Sequence, residues 1–300
     1  MAYPMIDYKL LEALALVIEE GGFEKAAHKL HITQSAVSQR VKMIEESAGQ
    51  ILVTRTLPPM ATEAGLKLLA HYRKVKLLEE DLTPEISRAS AVFPTTLAIG
   101  VNADSLATWF LEAVAGIAGE HNLILDVHVD DQEQTQKLLQ NGQVCGCIST
   151  HHKQLQGCRI EKLGTVEYGL YCTPLFSQQW FQEGFGLESI QLAPTIRFNR
   201  QDNLNKSFFH RLFRTEPSPL PTFYIPSSEK FVECILRNLC YGVIPAQQSR
   251  PLRGSGLLVD LAPACKIGVD LYYHCWNLKS KTIEIFTGEF IAKARQLLQF

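Results

Sequence analysis

The sequence predicts an all-α N-terminal domain followed by an α/β domain. Apolar residues before about residue 90 recur at intervals of three and four, the spacing of a helix face. From Thr95 onward, strand-like and helix-like segments alternate. The chain is 300 residues long and 46% hydrophobic, enough for two separate cores.

The first helix spans Tyr8 to Glu20 and stops at Gly21-Gly22, because glycine weakens a helix interior and readily takes the left-handed conformation that ends one. A second helix follows, from Glu24 to Leu30, with Phe23, Ala26, Ala27 and Leu30 on its core face. His31-Ile32-Thr33 interrupts it. Thr33 or Ser35 then caps a third helix whose apolar side is Val37, Val41, Ile44 and Ala48. Two short helices joined by so tight a turn, with alanines at the close approach, form a helix-turn-helix. Gln50 to Thr56 reads as a strand pair or wing, and Pro58-Pro59 forbids helix there. A long helix then runs from Glu63 to about Arg88 with Pro84 in its path. Its seam of Leu68, Tyr72, Val75, Leu78 and Leu82 calls for a partner helix or for its own domain.

In the second domain, strands are expected at Leu97 to Val101, Leu123 to Val129 and Val144 to Ser149, with helices at Ser105 to Glu120 and Gln132 to Asn141. A second unit spans Tyr168 to Leu261, with strands at Tyr168 to Cys172, Thr195 to Phe198, Thr222 to Ile225 and Tyr241 to Ile244. Val269 to Trp276 and a final helix from Lys281 to Leu298 return to the first unit. Such alternation implies a mostly parallel, doubly wound sheet. No repeat, low-complexity tract or long linker interrupts it.

Composition excludes several classes. The longest apolar run is Ala13 to Ile18, far short of the roughly 20 residues of a membrane helix, and Met1 to Asp7 does not begin a signal peptide. The expected location is the cytoplasm, and the eight cysteines are expected to be reduced thiols. Net charge is −2, and residues 1–90 carry 11 Lys and Arg against 12 Asp and Glu, so any nucleic-acid reading rests on pattern rather than on bulk charge.

That pattern is present. A helix in the major groove needs short polar side chains on one side and apolar ones on the other. Thr33, Gln34, Ser35, Ser38, Gln39 and Lys42 supply the polar side. Arg40 and Lys42 can neutralise phosphates, and Arg55 on the wing can reach backbone or minor groove.

The stretch from Phe23 to Lys42 resembles the DNA-binding motif of LysR-type transcriptional regulators, as do Ile44-Glu45 after it, Arg55 in the wing, Thr62-Glu-Ala-Gly65 and the long seam. Asn102 to Trp109, Thr54 to Pro59 and Ser227 to Val232 are similar to one group of that family, the lysine- and arginine-responsive regulators also described as inhibitors of chromosome initiation. The resemblance implies a winged helix-turn-helix over residues 1–62, a dimerising linker helix over 63–91, and a two-lobed, periplasmic-binding-protein-like effector domain over 92–300. Lobe I would take about 92–166 and 267–300, and lobe II about 167–266. It implies double-stranded promoter DNA, a homodimer or tetramer, a basic amino-acid effector and RNA polymerase as partners, control of amino-acid export or metabolism genes, and no membrane or cofactor. Inhibition of chromosome replication is the alternative.

Two segments also have the form of an anion site, where a strand runs into a helix whose N-terminal N–H groups face the ligand. Leu97 to Val101 leads into Asn102, Asp104, Ser105 and Thr108, and Phe223 to Pro226 leads into Ser227, Ser228 and Glu229. Ser149, at the end of another strand, completes the candidate set. Serines at these positions also simply cap helices. Asp104 and Glu229 suit a zwitterion with a cationic side chain, because donors take the α-carboxylate and acids take an ammonium or guanidinium. Lysine or arginine fits.

Other motifs read as ordinary structure. Cys145 and Cys147 lack nearby ligands for a metal, His151-His152 marks a surface turn, and Trp109 belongs to the core. Gly184-Phe-Gly186 and Gly254-Ser-Gly256 lack the third glycine of a dinucleotide fingerprint. No serine, histidine and acid arrangement supports an enzyme or a plain ligand-binding protein over a regulator.

Overall fold

The structure, a computed structural model of the chain, describes residues 6–86, 94–130, 135–215, 217 and 219–298. The expected extension of the long helix to Arg88, the boundary between residues 91 and 92, and the start of the helix expected from Gln132 lie outside these residues.

Helix α1 (Tyr8–Glu19) begins where the Asp7 carboxylate accepts from Lys9 N–H at 2.9 Å. Helices α2 (Phe23–Leu30) and α3 (Gln34–Ala48) follow, joined through His31 in the left-handed conformation. Leu11, Leu14, Val17, Ala26, Ala27, Val37, Val41 and Ile44 form one buried core. Ala48 departs from expectation and is exposed, because α3 has by then run past the core to its Gly49 cap. Strands β1 (Val53–Thr54) and β2 (Met60–Ala61) pair antiparallel as a short wing.

Helix α4 (Glu63–Ile86) continues through Pro84. Its seam does not face a single way. Leu68 and Tyr72 pack beside buried Leu69 on the N-terminal core, Val75 and Leu78 are half-buried, and Leu82 is 50% exposed. The first half therefore serves its own domain, which was the plainer alternative. Farther along, α4 docks on the second domain. Leu77 enters that core, Arg73 donates to the Gly142 carbonyl at 2.8 Å, and Lys74 lies 5.2 Å over Trp276. The Asp81 carboxylate accepts from Thr282 N–H and Oγ1, the latter at 2.6 Å.

The second domain runs β3 (Thr95–Asn102), α5 (Ala103–Ser105), a π turn (Leu106–Phe110), α6 (Leu111–Glu120), β4 (Leu123–Asp130), α7 (Thr135–Gln140), β5 (Gly146–Ser149) and β6 (Cys158–Cys172). It continues with α8 (Pro174–Trp180), α9 (Leu187–Leu192), β7 (Thr195–Arg197), α10 (Leu204–Phe213), β8 (Thr222–Tyr224), α11 (Ser228–Leu236), β9 (Gly242–Pro245), α12 (Ala246–Gly254), β10 (Val259–Asp260), β11 (Ile267–Trp276) and α13 (Lys281–Leu298).

The main sheet has seven strands in the order β10-β6-β11-β5-β3-β4, with β9 also on β6. Only β3 with β4 and β5 pairs parallel in it, while β7 and β8 form a separate parallel pair. The expected mostly parallel sheet is thus corrected to a mixed one. The reason is β6 and β11, two long antiparallel strands paired from Ile267 opposite Tyr168 to Trp276 opposite Cys158, with a shift of register between Leu271 and Tyr272. They carry the chain across from one α/β unit to the other and back, so both units share one sheet. Trp109 is core as expected, stacked on Phe290 at 6.0 Å. Among the described residues no helix is long and apolar enough to cross a membrane.

Candidate DNA-binding and effector sites

Thr33 Oγ1 accepts from Ala36 N–H and thereby fixes where α3 begins. The helical repeat then puts Gln34, Ser35, Ser38, Gln39 and Lys42 on one face, opposite Val37, Val41 and Ile44. All five are exposed, as is Thr33 at the cap. Arg40 is half-buried and falls outside this face, so it flanks the surface that the other five form. Lys42 sits 3.6 Å from Glu46, an exposed pair too weak to hold it away from a phosphate.

The wing is tied to this helix by Glu45, whose Oε1 accepts from Leu52 and Val53 N–H. Thr62 Oγ1 donates to the Ile51 carbonyl and accepts from Gly65 N–H. A Cβ at Gly65 would lie 2.1 Å from the Leu52 carbonyl oxygen, so only glycine lets α4 start against the wing. Arg55 is exposed on that wing.

In the second domain, the parallel strands β3, β5, β7 and β8 end toward a cavity of about 300 Å³, within the range of small-molecule sites. Of the expected residues, Asn102, Asp104 and Ser228 line it. The Asp104 carboxylate accepts from Tyr168 Oη at 2.7 Å and from Ser228. Burial pushes the Asp104 carboxyl above the usual carboxylate range, the two hydrogen bonds oppose that, and neighbouring Asp202 adds to it. Asn102 Oδ1 is buried without a partner.

The other expected residues are placed elsewhere. Glu229 points to solvent, one residue and about 100° of helix beyond Ser228. Ser227 caps α11 by accepting from Lys230 N–H, and Thr108 donates to the Asp104 backbone carbonyl. Ser105 is buried with its hydroxyl unpartnered, and the buried Ser149 hydroxyl accepts from His151 N–H. None of these five lines the cavity.

Residues the sequence did not reveal join the lining, among them Thr150 after β5, and Phe198, Gln201, Asp202 and Asn203 after β7. The Asp202 carboxylate accepts from Phe198 N–H at 3.0 Å and Leu204 N–H at 2.9 Å, and Arg197 donates to its backbone carbonyl. The one available signal was Asn199, whose side chain accepts from the Gln201 and Asp202 N–H groups in a turn just past β7. The lining holds two acids and, among the described residues, no Lys, Arg or His. Two carboxylates facing one cavity with no cation between them suit a ligand that brings its own.

The cysteines serve packing. All eight are unpaired, and burial pushes the Cys145 thiol up to about 12. Among the described residues, the group of side chains close enough to share a metal is Glu120, His121 and Glu289, where His121 is already 2.9 Å from Glu289.

Comparison with known proteins agrees with this division. Residues 8–66 match the family profile described as bacterial regulatory helix-turn-helix protein, lysR family. The HTH-type transcriptional regulator ArgP of Aeromonas salmonicida is 40% identical over 294 residues, 98% of each chain, and ArgP of Escherichia coli K12 is 37% identical over 293 residues, again 98% of each. The crystal structure of ArgP from Mycobacterium tuberculosis aligns with a TM-score of 0.85 at 34% identity, covering 97% of this chain and 98% of that one. Full-length LysG from Corynebacterium glutamicum with bound effector Arg aligns at 0.74 and 30% identity, covering 97% and 99%. The chain belongs to the LysR family of DNA-binding, helix-turn-helix transcriptional regulators.

Proposed function

We propose that this regulator senses lysine or arginine in the cavity between β3, β5, β7 and β8 and transmits that state to promoter DNA bound by α3 and the wing. The observation that carries the reading is the pair Asp104 and Asp202 around a cavity in which, among the described residues, no basic side chain takes part. A ligand ammonium or guanidinium meets these two acids and the free Asn102 Oδ1, while the Thr150 hydroxyl and the backbone N–H groups at the start of α11 stand ready for its carboxylate. Relatives named ArgP and a solved LysG holding Arg support the same assignment. The protein acts in the cytoplasm as a dimer or tetramer, with RNA polymerase as its partner at promoters of amino-acid export or metabolism genes. Inhibition of replication is not favoured, because it gives the acidic cavity no task.

Titration of labelled upstream DNA with the protein, in the presence and absence of each amino acid, tests this. A specific complex whose affinity or footprint changes with lysine or arginine is expected. Specific binding indifferent to saturating amounts of both would refute the sensing role.

A further inference from the structure

The tip of the wing is built unlike the polar face of α3. Leu57 is 98% exposed, more than any other large apolar side chain among the described residues, and Met60 across the loop is 62% exposed. The loop that carries them is braced. Thr54 Oγ1 accepts from Met60 N–H at 3.2 Å and donates to the Met60 carbonyl at 3.1 Å, and Thr56 Oγ1 donates to the Pro58 carbonyl at 2.8 Å. Behind the tip, Pro59 is buried, and Pro58 lies against the turn after α1, where a Cβ at Gly21 would meet Pro58 Cβ at 3.8 Å. Hydrogen bonds and two prolines thus hold an apolar side chain out in water, with the ordering cost of any contact it makes already met.

The partner that fits is DNA. The wing is fixed to α3, because Glu45 of that helix accepts from Leu52 and Val53 N–H at the base of the wing. From Gln50 to Ala61 the one charged residue is Arg55, exposed two positions before Leu57. The tip therefore offers a cation and no acid, although residues 1–90 as a whole carry more acids than bases. We propose that Leu57 is a wedge that enters the minor groove beside the site read by α3 and opens one step between stacked base pairs, while Arg55 meets a flanking phosphate. Pyrimidine–purine steps unstack most easily, so the wing selects such a step without a hydrogen bond to any base. The proposal rests on the reading of the wing as part of the DNA surface and goes beyond it by giving base-step selection to an apolar residue.

Duplexes that the full chain retains from a random-sequence pool supply the probe, with 2-aminopurine, which brightens when unstacked, replacing each adenine in turn. Binding should brighten one position beside the site severalfold. Leu57→Ser should abolish the brightening and weaken binding about tenfold, by the same factor at every salt concentration, because an apolar contact releases no counterions. Leu57→Phe should keep the brightening, and unchanged thermal unfolding of both variants is the control for folding. Arg55→Gln should instead lower the salt slope by about one. No brightening with the wild-type chain at any position, or equal brightening with Leu57→Ser, would overturn the wedge. If Arg55→Gln changed the salt slope while Leu57→Ser changed nothing, the wing would remain on the DNA and the wedge alone would fall. If neither variant changed binding at any salt concentration, the wing reading would fall with it.

Discussion

Asp104→Asn removes one negative charge while keeping the shape of the side chain and an oxygen to accept from Tyr168 Oη. Disrupting one side of a desolvated charge pair costs about 2–5 kcal/mol in binding. Here Asp202 remains to hold part of the ligand's charge, which places the loss at the lower end, about 2–3 kcal/mol, or roughly 30- to 150-fold in affinity for arginine and lysine. A second signature separates charge from shape. Burial and Asp202 hold the Asp104 carboxyl above its ordinary range. A cationic ligand prefers the ionised form, so binding drives the proton off and lowers the pKa. Wild-type affinity therefore falls as pH drops through that raised value, by up to about tenfold per unit, and the variant has no such proton to lose. Calorimetry of both proteins across acidic to neutral pH reads both effects, and retained binding to specific DNA shows the variant is folded. Wild-type affinity in Asp104→Asn, with the same pH slope, would refute the reasoning and leave Asp104 a local structural acid.

Ser38→Ala or Gln34→Ala should weaken the specific site by about 1–3 kcal/mol with little effect on random DNA, whereas Lys42→Ala should weaken all DNA and reduce the salt slope by about one, as measured by anisotropy over a salt series. Leu78→Asp places an unpaired charge on the half-buried seam, at a cost of several kcal/mol if the seam meets a partner helix, and light scattering should show the assembly dissociating. An unchanged mass would remove the seam from the interface. Gly65→Ala forces a methyl group against the Leu52 carbonyl, so thermal unfolding should report a loss of about 2–3 kcal/mol together with weaker DNA binding.

The N-terminal domain was legible because each of its helices is short, capped and amphipathic, so local pattern and tertiary packing agree. Ala48 escaped because periodicity continues to the end of a helix even where the core beneath it has stopped. The mixed sheet was hidden for a related reason. The first half of β6 carries Arg159, Glu161 and Lys162 among its apolar residues, and nothing local announces that it crosses between two units to pair with β11. In the cavity, Asp104 was readable from its place just past a strand. Asp202 was not, since its nearness to Asp104 exists only after two units 98 positions apart in the chain have folded together. Glu229 failed because adjacent residues on a helix point about 100° apart, so Ser228 and its neighbour cannot both face inward.

Helix α4 is gripped at both ends, by Leu69 in the DNA-binding core and by Leu77, Arg73 and the Asp81–Thr282 contact on the second domain. It is therefore placed to act as a lever between them. With 24 residues it is about 36 Å long, and a tilt of about 5° at one end moves the other by about 3 Å. That is close to the rise of one base pair along a DNA strand, about 3.4 Å. We expect that a ligand-driven tilt of this size, small enough to leave every secondary structure intact, would carry the recognition helix by about one step of the sequence it reads.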